Sequence, residues 1–389
     1  MTPSGYKISK LKYEKIKMNK YKAAVQELIS ETGITINGNK PYDIQVHNPK
    51  FYQRVLSQGS LGVGESYMEG WWDCEDLDTF FNKIFTNGIE KKLQNNWKFI
   101  LLALKAKIFN LQTKSKALQS IAHHYDIGNL FYKNMLDPLM MYSCGYWEGA
   151  STLSEAQEQK LKLICEKLQL KPGQKILDIG CGWGGFAYYA AKNYKVNVVG
   201  ITISTEQQKL AIERCKGLDV EIRFQDYRDI DEQFDRIVSI GMLEHVGYKN
   251  YGKFMKIINK NLTDNGLCLL HFIASNKTDL NTDPWFHKYI FPSGLIPSLT
   301  QIGKAMEEKL LLEDLHNIGL HYYYTLMAWQ ENFKKSRDSL KKEYNETFYR
   351  MWNFYLATSA ASFRSRRLNL WQIVVAKPSF QKEYKSVRF

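Results

Sequence analysis

The feature that most constrains the fold is the segment KILDIGCGWGG, from Lys175 to Gly185. It ends an apolar run in a glycine-rich turn of the G-x-G-x-x-G type, and the residues that follow, Phe186 to Asn193, are typical of a helix. In a doubly wound sheet this turn is where a nucleotide lies, because glycine lets a ligand approach the backbone and the helix N-terminus presents free N–H groups. The segment therefore predicts a nucleotide site at the end of a first strand.

The chain after about residue 120 alternates between apolar runs and helical stretches. This alternation predicts a mostly parallel sheet covered by helices on both faces, and hence the α/β class. The predicted strands are Lys175–Ile179, Asn197–Ile203, Val220–Phe224, Asp235–Ile240, Gly266–Ile273 and Leu370–Ala376.

Two details favour S-adenosylmethionine over a dinucleotide. Asp178 precedes the glycines, where its carboxylate would repel a pyrophosphate but would suit a ligand with an amino group. The pattern D-x-G-x-G-x-G is typical of methyltransferases. The next strand ends in VVGITIS with no acidic residue for a ribose, and Thr202, Ser204 and Gln207 offer neutral hydrogen-bonding groups instead.

The chain of 389 residues predicts two domains of unequal size. We expect a mainly helical N-terminal domain over residues 1–105 that binds lipid or membrane, a linker over 106–122, and a catalytic domain over 123–389. Within the first, the glycines of GSLGVGESYMEGWW are expected to break regular structure. The tryptophans that follow indicate either a compact core cluster or an apolar platform for acyl chains or a partner.

A net charge of +13 indicates an anionic partner, either nucleic acid or an acidic membrane surface, although an ordinary solvated basic face gives the same count. Lysines cluster at Lys7–Lys22 and at Lys91–Lys116, and the second cluster is typical of a basic amphipathic helix or of an ordinary surface helix. No apolar run is long enough to span a membrane or to serve as a secretory signal, so a cytoplasmic protein is expected. The six scattered cysteines predict reduced thiols and no structural metal.

Further motifs give the sequence a resemblance to the cyclopropane-fatty-acyl-phospholipid synthases over nearly its whole length. The motifs, in the order and spacing of that family, are HNP, GSLGVGESYMEGWW, HHYDIGN, MYSCGYW, LDIGCGWGG, GITIS, DRIVSIGMLEHVG, YIFPSG and LWQ. The resemblance implies a Rossmann-like class I methyltransferase fold with a smaller helical N-terminal domain. It also implies that the substrate is the cis double bond of a phospholipid acyl chain and that the product is a cyclopropane ring.

The resemblance further implies which residues form the site. Those implied to bind S-adenosylmethionine are Tyr142, Ser143, Asp178, Gly180, Gly182, Gly184, Thr202, Ser204, Gln207, Asp226 and Tyr227. Those implied to hold a bicarbonate that acts as the base are Cys144, Glu244, His271, the backbone of Ile273, and Tyr322. Two of the segments, GMLEHVG and LLHFI, follow or end predicted strands and therefore reach the carboxyl edge of the sheet. Each residue also has a plain structural interpretation, such as a buried thiol or a core histidine.

Alternatives remain open from the sequence. One is a lipid methyltransferase that stops at methyl addition or modifies a headgroup, and another is a non-catalytic membrane or RNA-binding protein. The intact set of Glu244, His271 and Tyr322 argues against the latter, and no nucleic acid is expected as a partner. The family further implies a homodimer bound peripherally to the inner face of the cell membrane. Ser359 stands where many members have a cysteine, and we expect it to be a tolerated packing substitution.

Overall fold

The structure is a computed structural model that describes Asn19 and residues 21–89, 127–292 and 294–389. Most of the first lysine cluster, the whole of Lys91–Lys116 and the expected linker 106–122 lie outside the described residues. The chain divides into two compact units. The first consists of Met1–Lys105, Asp283–Ile290 and Arg337–Ser365, and the second of Ala106–Thr282, Phe291–Ser336 and Arg366–Phe389.

The elements of the described chain are numbered in chain order. The strands are β1 (Gln45–Val46), β2 (Trp72–Asp73), β3 (Lys175–Ile179), β4 (Asn197–Thr202), β5 (Val220–Phe224), β6 (Phe234–Ile240), β7 (Leu262–Ser275), β8 (Leu311–Asn317) and β9 (Leu368–Ala376). The α-helices are α1 (Lys50–Gln58), α2 (Ser60–Met68), α3 (Leu77–Thr86), α4 (Asn129–Met135), α5 (Leu153–Lys167), α6 (Gly185–Tyr194), α7 (Thr205–Arg214), α8 (Leu243–Val246), α9 (Tyr251–Asn261), α10 (Pro284–Tyr289), α11 (Leu299–Met306), α12 (Gly319–Lys335), α13 (Arg337–Leu340) and α14 (Glu346–Arg364).

The second unit is built on a sheet of seven strands in the order β5-β4-β3-β6-β7-β9-β8. The strands β5, β4, β3, β6 and β7 are parallel, and β9 runs antiparallel to both β7 and β8. The chain leaves β3 toward one edge of the sheet and returns to β6 on the other side of β3. The carboxyl ends of β3 and β6 therefore flank the point where the strand order reverses, which is where open α/β sheets bind ligands.

Helices cover both faces of this sheet. One apolar core packs the α9 residues Phe254 and Ile258 and the α11 residue Ile302 against the strands. The other packs Leu161 of α5 and Phe186 of α6 against the opposite face. Because both faces are covered, the central strands β3, β4 and β6 are mostly buried, apolar runs, which is why they could be predicted from sequence.

The predicted α/β class is confirmed, and so are the six predicted strands, which appear as β3, β4, β5, β6, β7 and β9. The strand β8 is not among the predicted strands. This strand lies at the edge of the sheet, exposes Leu311, Leu312 and Leu315, and carries an irregularity between Leu312 and Asp314. An edge strand of this kind has no clean apolar period from which to predict it.

The first unit is mainly helical and has its own aromatic core around Trp72, which is fully buried. The Trp72 ring lies 5.1 Å from that of Tyr67 and 5.5 Å from that of Phe80. Of the two interpretations left open for the tryptophans, Trp72 belongs to the compact core. It is therefore not an apolar group that could contact a membrane.

The expectation that the glycines of GSLGVGES break regular structure is wrong, because Ser60–Met68 is the helix α2. A side chain at Gly62 would come within 2.5 Å of the Arg54 carbonyl oxygen, and one at Gly64 would collide with the indole of Trp285. The glycines let α2 approach α1 and α10 within this unit. Tertiary packing therefore outweighs the low helix propensity of glycine.

The late helix α14 also belongs to the first unit, so this unit is not the continuous stretch 1–105 that the sequence suggested. The helix packs against α2 and α3. Arg350 of α14 donates to the Trp72 carbonyl at 2.8 Å and to Asp73 at 2.7 Å, and its guanidinium lies 4.1 Å from the Tyr67 ring centroid. Ser359 lies in the same helix.

None of the described helices is long and apolar enough to cross a membrane. Among the described histidine, cysteine, aspartate and glutamate side chains, no group could hold a metal ion.

Candidate active site

The glycine-rich turn follows β3 as the sequence predicted. Gly180 and Gly182 have φ angles of +80° and +55°, a region that disfavours other residues. The N–H groups of Gly180 and Cys181 both donate to the Ile201 carbonyl, at 3.0 and 2.9 Å, which ties the turn to β4. The helix α6 begins directly after the turn at Gly185, so its first N–H groups lie at the carboxyl edge of the sheet.

A cavity opens at this turn, in the second unit. Most of the residues predicted to bind the cofactor line it, namely Tyr142, Ser143, Asp178, Gly180, Gly182, Thr202, Gln207, Asp226 and Tyr227. They come from the ends of β3 and β4, from the first turn of α7, from the segment after β5 and from the segment before α5. The fold thus brings residues far apart in sequence to one site.

Gly184 and Ser204 do not line the cavity but support its wall. A side chain at Gly184 would come within 3.0 Å of the Ala211 side chain, so this glycine allows α6 to pack closely on α7. Ser204 caps α7, and its hydroxyl accepts from the Gln207 N–H at 3.3 Å. That cap fixes the backbone of Gln207, whose side chain accepts a 2.8 Å hydrogen bond from Thr202 inside the cavity.

Asp178 is one of the two carboxylates in the described chain that line the cavity. Its side chain is buried, and the Oδ2 atom has no hydrogen-bond partner among the described residues. Burial raises the pKa of Asp178 to about 7, and the positive charge of Lys160 acts in the opposite direction. A buried carboxylate with an unused oxygen is stabilised by a cationic ligand. The observation fits the ammonium group of S-adenosylmethionine, and the glycine turn leaves room for the rest of that ligand.

Glu244 lies just past β6, in the short helix α8. Its Oε1 accepts from the N–H of Ile273 at 2.6 Å, while its Oε2 is buried and is one of the described polar atoms without a partner. Burial raises the pKa of this carboxyl to about 7, although the hydrogen bond from Ile273 opposes the rise. The backbone of Ile273 is predicted to contact a bicarbonate. In the structure, its N–H donates to Glu244.

His271 lies in β7, two residues before Ile273, and is buried. Its Nδ1 is 3.3 Å from Nε2 of Gln372, the residue opposite it on β9. Its Nε2 lacks a partner within the described part of the chain. Burial, together with the charges of Lys160 and Lys167, holds the pKa of His271 well below its usual value. The ring is therefore neutral, and when Gln372 donates to Nδ1 the hydrogen sits on Nε2, ready to donate to an anion.

Cys144 and Tyr322 are connected through Thr325. The Thr325 hydroxyl accepts from the N–H of Gly145 at 3.0 Å, and Thr325 lies one helical turn after Tyr322 in α12. Cys144 is fully buried, which raises the pKa of its thiol, so it is not a thiolate nucleophile. The Tyr322 ring packs on Trp329 at 5.9 Å, and Trp329 packs on Tyr142 at 5.1 Å. An aromatic row therefore runs from Tyr322 to the cofactor cavity.

The unused atoms of Glu244 and His271 fit a small anion that carries its own O–H. Such an ion would accept from the His271 Nε2 hydrogen and donate to the Glu244 carboxylate, which would give both buried atoms a partner. Bicarbonate has this donor and acceptor set.

Sequence reasoning missed several residues. Trp183, Arg228, Met242 and His245 also line the cavity, and burial lowers the pKa of His245 to about 4. Lys160 of α5 is fully buried beneath the site, although lysine is usually a surface residue. The signal that could have found it is the spacing of Leu153, Ala156, Lys160 and Ile164 along one face of α5.

The sheet order, with its antiparallel β9 between β7 and β8, together with the glycine turn and the acidic residue before it, defines a class I S-adenosylmethionine-dependent methyltransferase. Residues 112–373 match the family described as mycolic acid cyclopropane synthetase. The chain belongs to this family.

Individual relatives agree with the family assignment. The cyclopropane-fatty-acyl-phospholipid synthase of Escherichia coli (strain K12) is 54% identical over 359 residues, covering 92% of this chain and 94% of that protein. The tuberculostearic acid methyltransferase UfaA1 of Mycobacterium tuberculosis is 31% identical over 84% of this chain and 81% of its own. Among solved structures, the mycolic acid cyclopropane synthase CmaA1 complexed with SAH and CTAB superposes with a TM-score of 0.63 at 29% identity, covering 67% of this chain and 98% of that one.

Proposed function

We propose that this chain transfers a methylene group from S-adenosylmethionine to the cis double bond of unsaturated phospholipid acyl chains, forming a cyclopropane ring. The observation that carries the proposal is a pair of buried atoms, Glu244 Oε2 and His271 Nε2, which have no hydrogen-bond partner among the described residues and lie at the same sheet edge as the nucleotide cavity. Ring closure needs a base held at this edge, because methyl transfer to an alkene leaves a carbocation and the ring forms only when one proton is removed from the newly added methyl group.

Different residues of the cavity contact different parts of the cofactor. S-adenosylmethionine, when bound, supplies an electrophilic methyl group. Asp178 pairs with its ammonium group, the turn at Gly180 and Gly182 admits it close to the backbone, and Thr202 and Gln207 offer hydrogen bonds. An alkene is a weak nucleophile, so rate acceleration depends on holding it in line with the methyl group, which contributes about 7–11 kcal/mol in favourable cases.

The second cluster keeps a base in place and dry. Glu244, His271, Tyr322, Cys144 and the Ile273 backbone would hold a bicarbonate, which supplies the proton acceptor. The neutral state of His271 suits this role because its Nε2–H donates a hydrogen bond to the anion and does not transfer its proton to it. The aromatic faces of Tyr322, Trp329 and Tyr142 exclude water and stabilise positive charge on the acyl chain.

The same proposal extends to the location of the enzyme. An acyl double bond lies below the headgroups of a bilayer, so the protein must dock on a membrane. We propose that it does so peripherally, at the anionic inner face of the cell membrane, as a homodimer in the cytoplasm. The net charge of +13 supports attraction to an anionic surface.

The test is to incubate the purified protein with S-adenosylmethionine and vesicles of a monounsaturated phospholipid, and to analyse the fatty acids by mass spectrometry. We expect a product that has gained one CH2 and has no remaining double bond. The Glu244→Gln variant under the same conditions is the control for the contribution of the base.

A second candidate is methyl addition without ring closure, which is favoured by the 31% identity to a tuberculostearic acid methyltransferase. Its products are methyl-branched or methylene-branched chains, which fragment differently from a cyclopropane. Such chains as the main product, or no lipid product at all, would contradict the proposal.

A further inference from the structure

The buried residue Lys160 contacts a residue of the cofactor cavity, although neither the cofactor set nor the base set includes it. It lies in the middle of α5 with none of its surface exposed. Its Nζ donates to the Ser143 hydroxyl oxygen at 3.0 Å. Gln157, one helical turn earlier, donates to the Ser143 carbonyl at 2.9 Å and to the Met141 carbonyl at 3.3 Å. The helix α5 therefore fixes both the backbone and the side chain of Ser143.

The bond between Lys160 and Ser143 has a definite direction. An ammonium group has three donors and no acceptor, so the Ser143 oxygen must accept. The hydroxyl hydrogen of Ser143 is then directed to another acceptor. Because Ser143 lines the same cavity as Asp178, this hydrogen is available to a ligand there.

The charges around Lys160 indicate which group of a ligand would accept the Ser143 hydroxyl hydrogen. Lys160 interacts with the two buried carboxylates Asp137 and Asp178. Asp137 is already used by the chain, since it accepts from the N–H groups of Met141 at 2.8 Å and Leu139 at 2.9 Å. The Oδ2 atom of Asp178 has no partner in the described part of the chain. The cavity thus presents a carboxylate at one point and, at Ser143, a hydroxyl donor backed by a buried cation, which complements the ammonium and carboxylate groups of one amino acid.

We propose that Lys160 is a positioning residue for the amino-acid end of the cofactor. It holds the Ser143 hydroxyl as a donor to the cofactor carboxylate and supplies the positive charge that this carboxylate meets. The inference rests on the proposed binding of S-adenosylmethionine in this cavity and adds a recognition rule. The site selects ligands that carry the α-carboxylate, and Lys160 is the source of that selection.

The test compares two ligands by titration calorimetry, S-adenosylhomocysteine and its analogue without the α-carboxylate. We expect the wild-type protein to bind the carboxylate ligand about 10- to 100-fold more tightly, the range for one charge-assisted hydrogen bond. Lys160→Met should weaken that ligand by a similar factor and change binding of the analogue by less than about threefold, so the preference disappears. Lys162→Met, at an exposed position on the same helix, is the matched control and should leave both affinities unchanged.

Because Lys160→Met leaves buried carboxylates without their cation, its fold must be checked by thermal unfolding, and Ser143→Ala provides a second route. That variant keeps the cation and removes the hydroxyl, and we expect it to lose part of the same carboxylate preference. Equal weakening of both ligands in these variants, or a wild-type protein that does not distinguish them, would overturn the inference alone. A wild-type protein that binds neither ligand would overturn the proposed cofactor as well.

Discussion

Two glycine-rich segments of this chain, GSLGVGES in the first unit and GCGWGG in the second, have similar compositions and opposite structural outcomes. In the first, Gly62 and Gly64 lie inside a helix, and the space that a side chain would occupy is filled by Arg54 and Trp285. In the second, Gly180 and Gly182 turn the chain with positive φ angles and line a cavity. Glycine content alone therefore does not indicate a ligand site. The preceding strand and Asp178 make the difference.

Two partly buried glutamates, Glu65 and Glu244, also differ between the units, in their hydrogen-bond partners and in the direction of their pKa shifts. Burial acts to raise the pKa of Glu65 in the first unit, but hydrogen bonds from Lys288, Tyr289 and Arg54 outweigh it and lower the pKa. Glu244 in the second unit accepts from the backbone N–H of Ile273, but burial outweighs that bond and raises its pKa to about 7. A carboxylate whose partners are all supplied by the chain stabilises the fold. A buried carboxylate with an oxygen that the chain does not satisfy is a candidate ligand-binding group.

The largest expected effect tests this difference between the glutamates. Glu244→Gln should lower turnover about 10²- to 10⁴-fold, the usual contribution of a positioned acid–base group, with cofactor affinity nearly unchanged. Turnover on vesicles and calorimetry with S-adenosylhomocysteine measure the two quantities.

The matched control is Glu65→Gln, which removes a charge from a satisfied cluster. It should destabilise the fold by about 1–3 kcal/mol and leave cofactor affinity as it was. If Glu244→Gln turned over at the wild-type rate, Glu244 would be a structural carboxylate and the comparison would fail.

The glycines provide the next test, through the same substitution in both segments. Gly180→Val places a side chain at φ +80° beside the cavity, and we expect cofactor affinity to fall by at least about 100-fold, or about 3 kcal/mol. Gly64→Val should instead lower the free energy of unfolding by about 1–3 kcal/mol, because it overpacks the contact with Trp285, and should not change cofactor affinity. Calorimetry and chemical denaturation separate the two outcomes, and an unaffected cofactor affinity in Gly180→Val would contradict the assignment of the cavity.

The pH dependence of stability distinguishes the glutamates again. Burial raises the pKa of Glu244 from 4.5 to about 7, so between those values the native state holds a proton that the unfolded state has released. The contribution of Glu244 to the free energy of unfolding therefore falls by about 3 kcal/mol as pH rises through this window, and levels off above it. Glu244→Gln removes this fall, whereas Glu65, with its lowered pKa, contributes stability that is lost on acidification. Denaturation curves from pH 4 to pH 8 for both variants measure the difference.

The core of the sheet and part of the site could be predicted from sequence because the signals are local. A buried parallel strand is a continuous apolar run, and Asp178 with its glycines follows β3 directly. The remainder depends on contacts between distant segments. The helix α2 forms in spite of its glycines because Trp285 and α1 pack against it, and α14 joins the first unit through Arg350. The spacing along α5 places Lys160 on an apolar face, but the carboxylates it interacts with, Asp137 and Asp178, are elsewhere in the chain.

A smaller effect is expected for lysines that belong to neither glycine-rich segment. If the cluster from Lys91 to Lys116 attracts the protein to an anionic membrane, each lysine near the surface contributes about 1 kcal/mol. Replacing one of them with glutamine should weaken binding to anionic vesicles about fivefold at low salt and less at high salt, because the attraction is screened beyond about 8 Å at physiological ionic strength. Vesicle sedimentation across a salt series measures this. Equal binding to neutral and anionic vesicles would leave the lysines as a solvated face.

The smallest expected effect is at Ser359. It lies in α14, which belongs to the first unit, whereas Asp178, Glu244 and His271 belong to the second. The proposed chemistry forms no covalent bond to the enzyme, so a nucleophile at this position is not required. Ser359→Ala and Ser359→Cys should both keep turnover within about twofold of the wild-type value, and each should shift the free energy of unfolding by less than about 1 kcal/mol. A large gain of activity in Ser359→Cys would mean that a thiol at this position takes part in the reaction, and residue 359 would then not be a packing position alone.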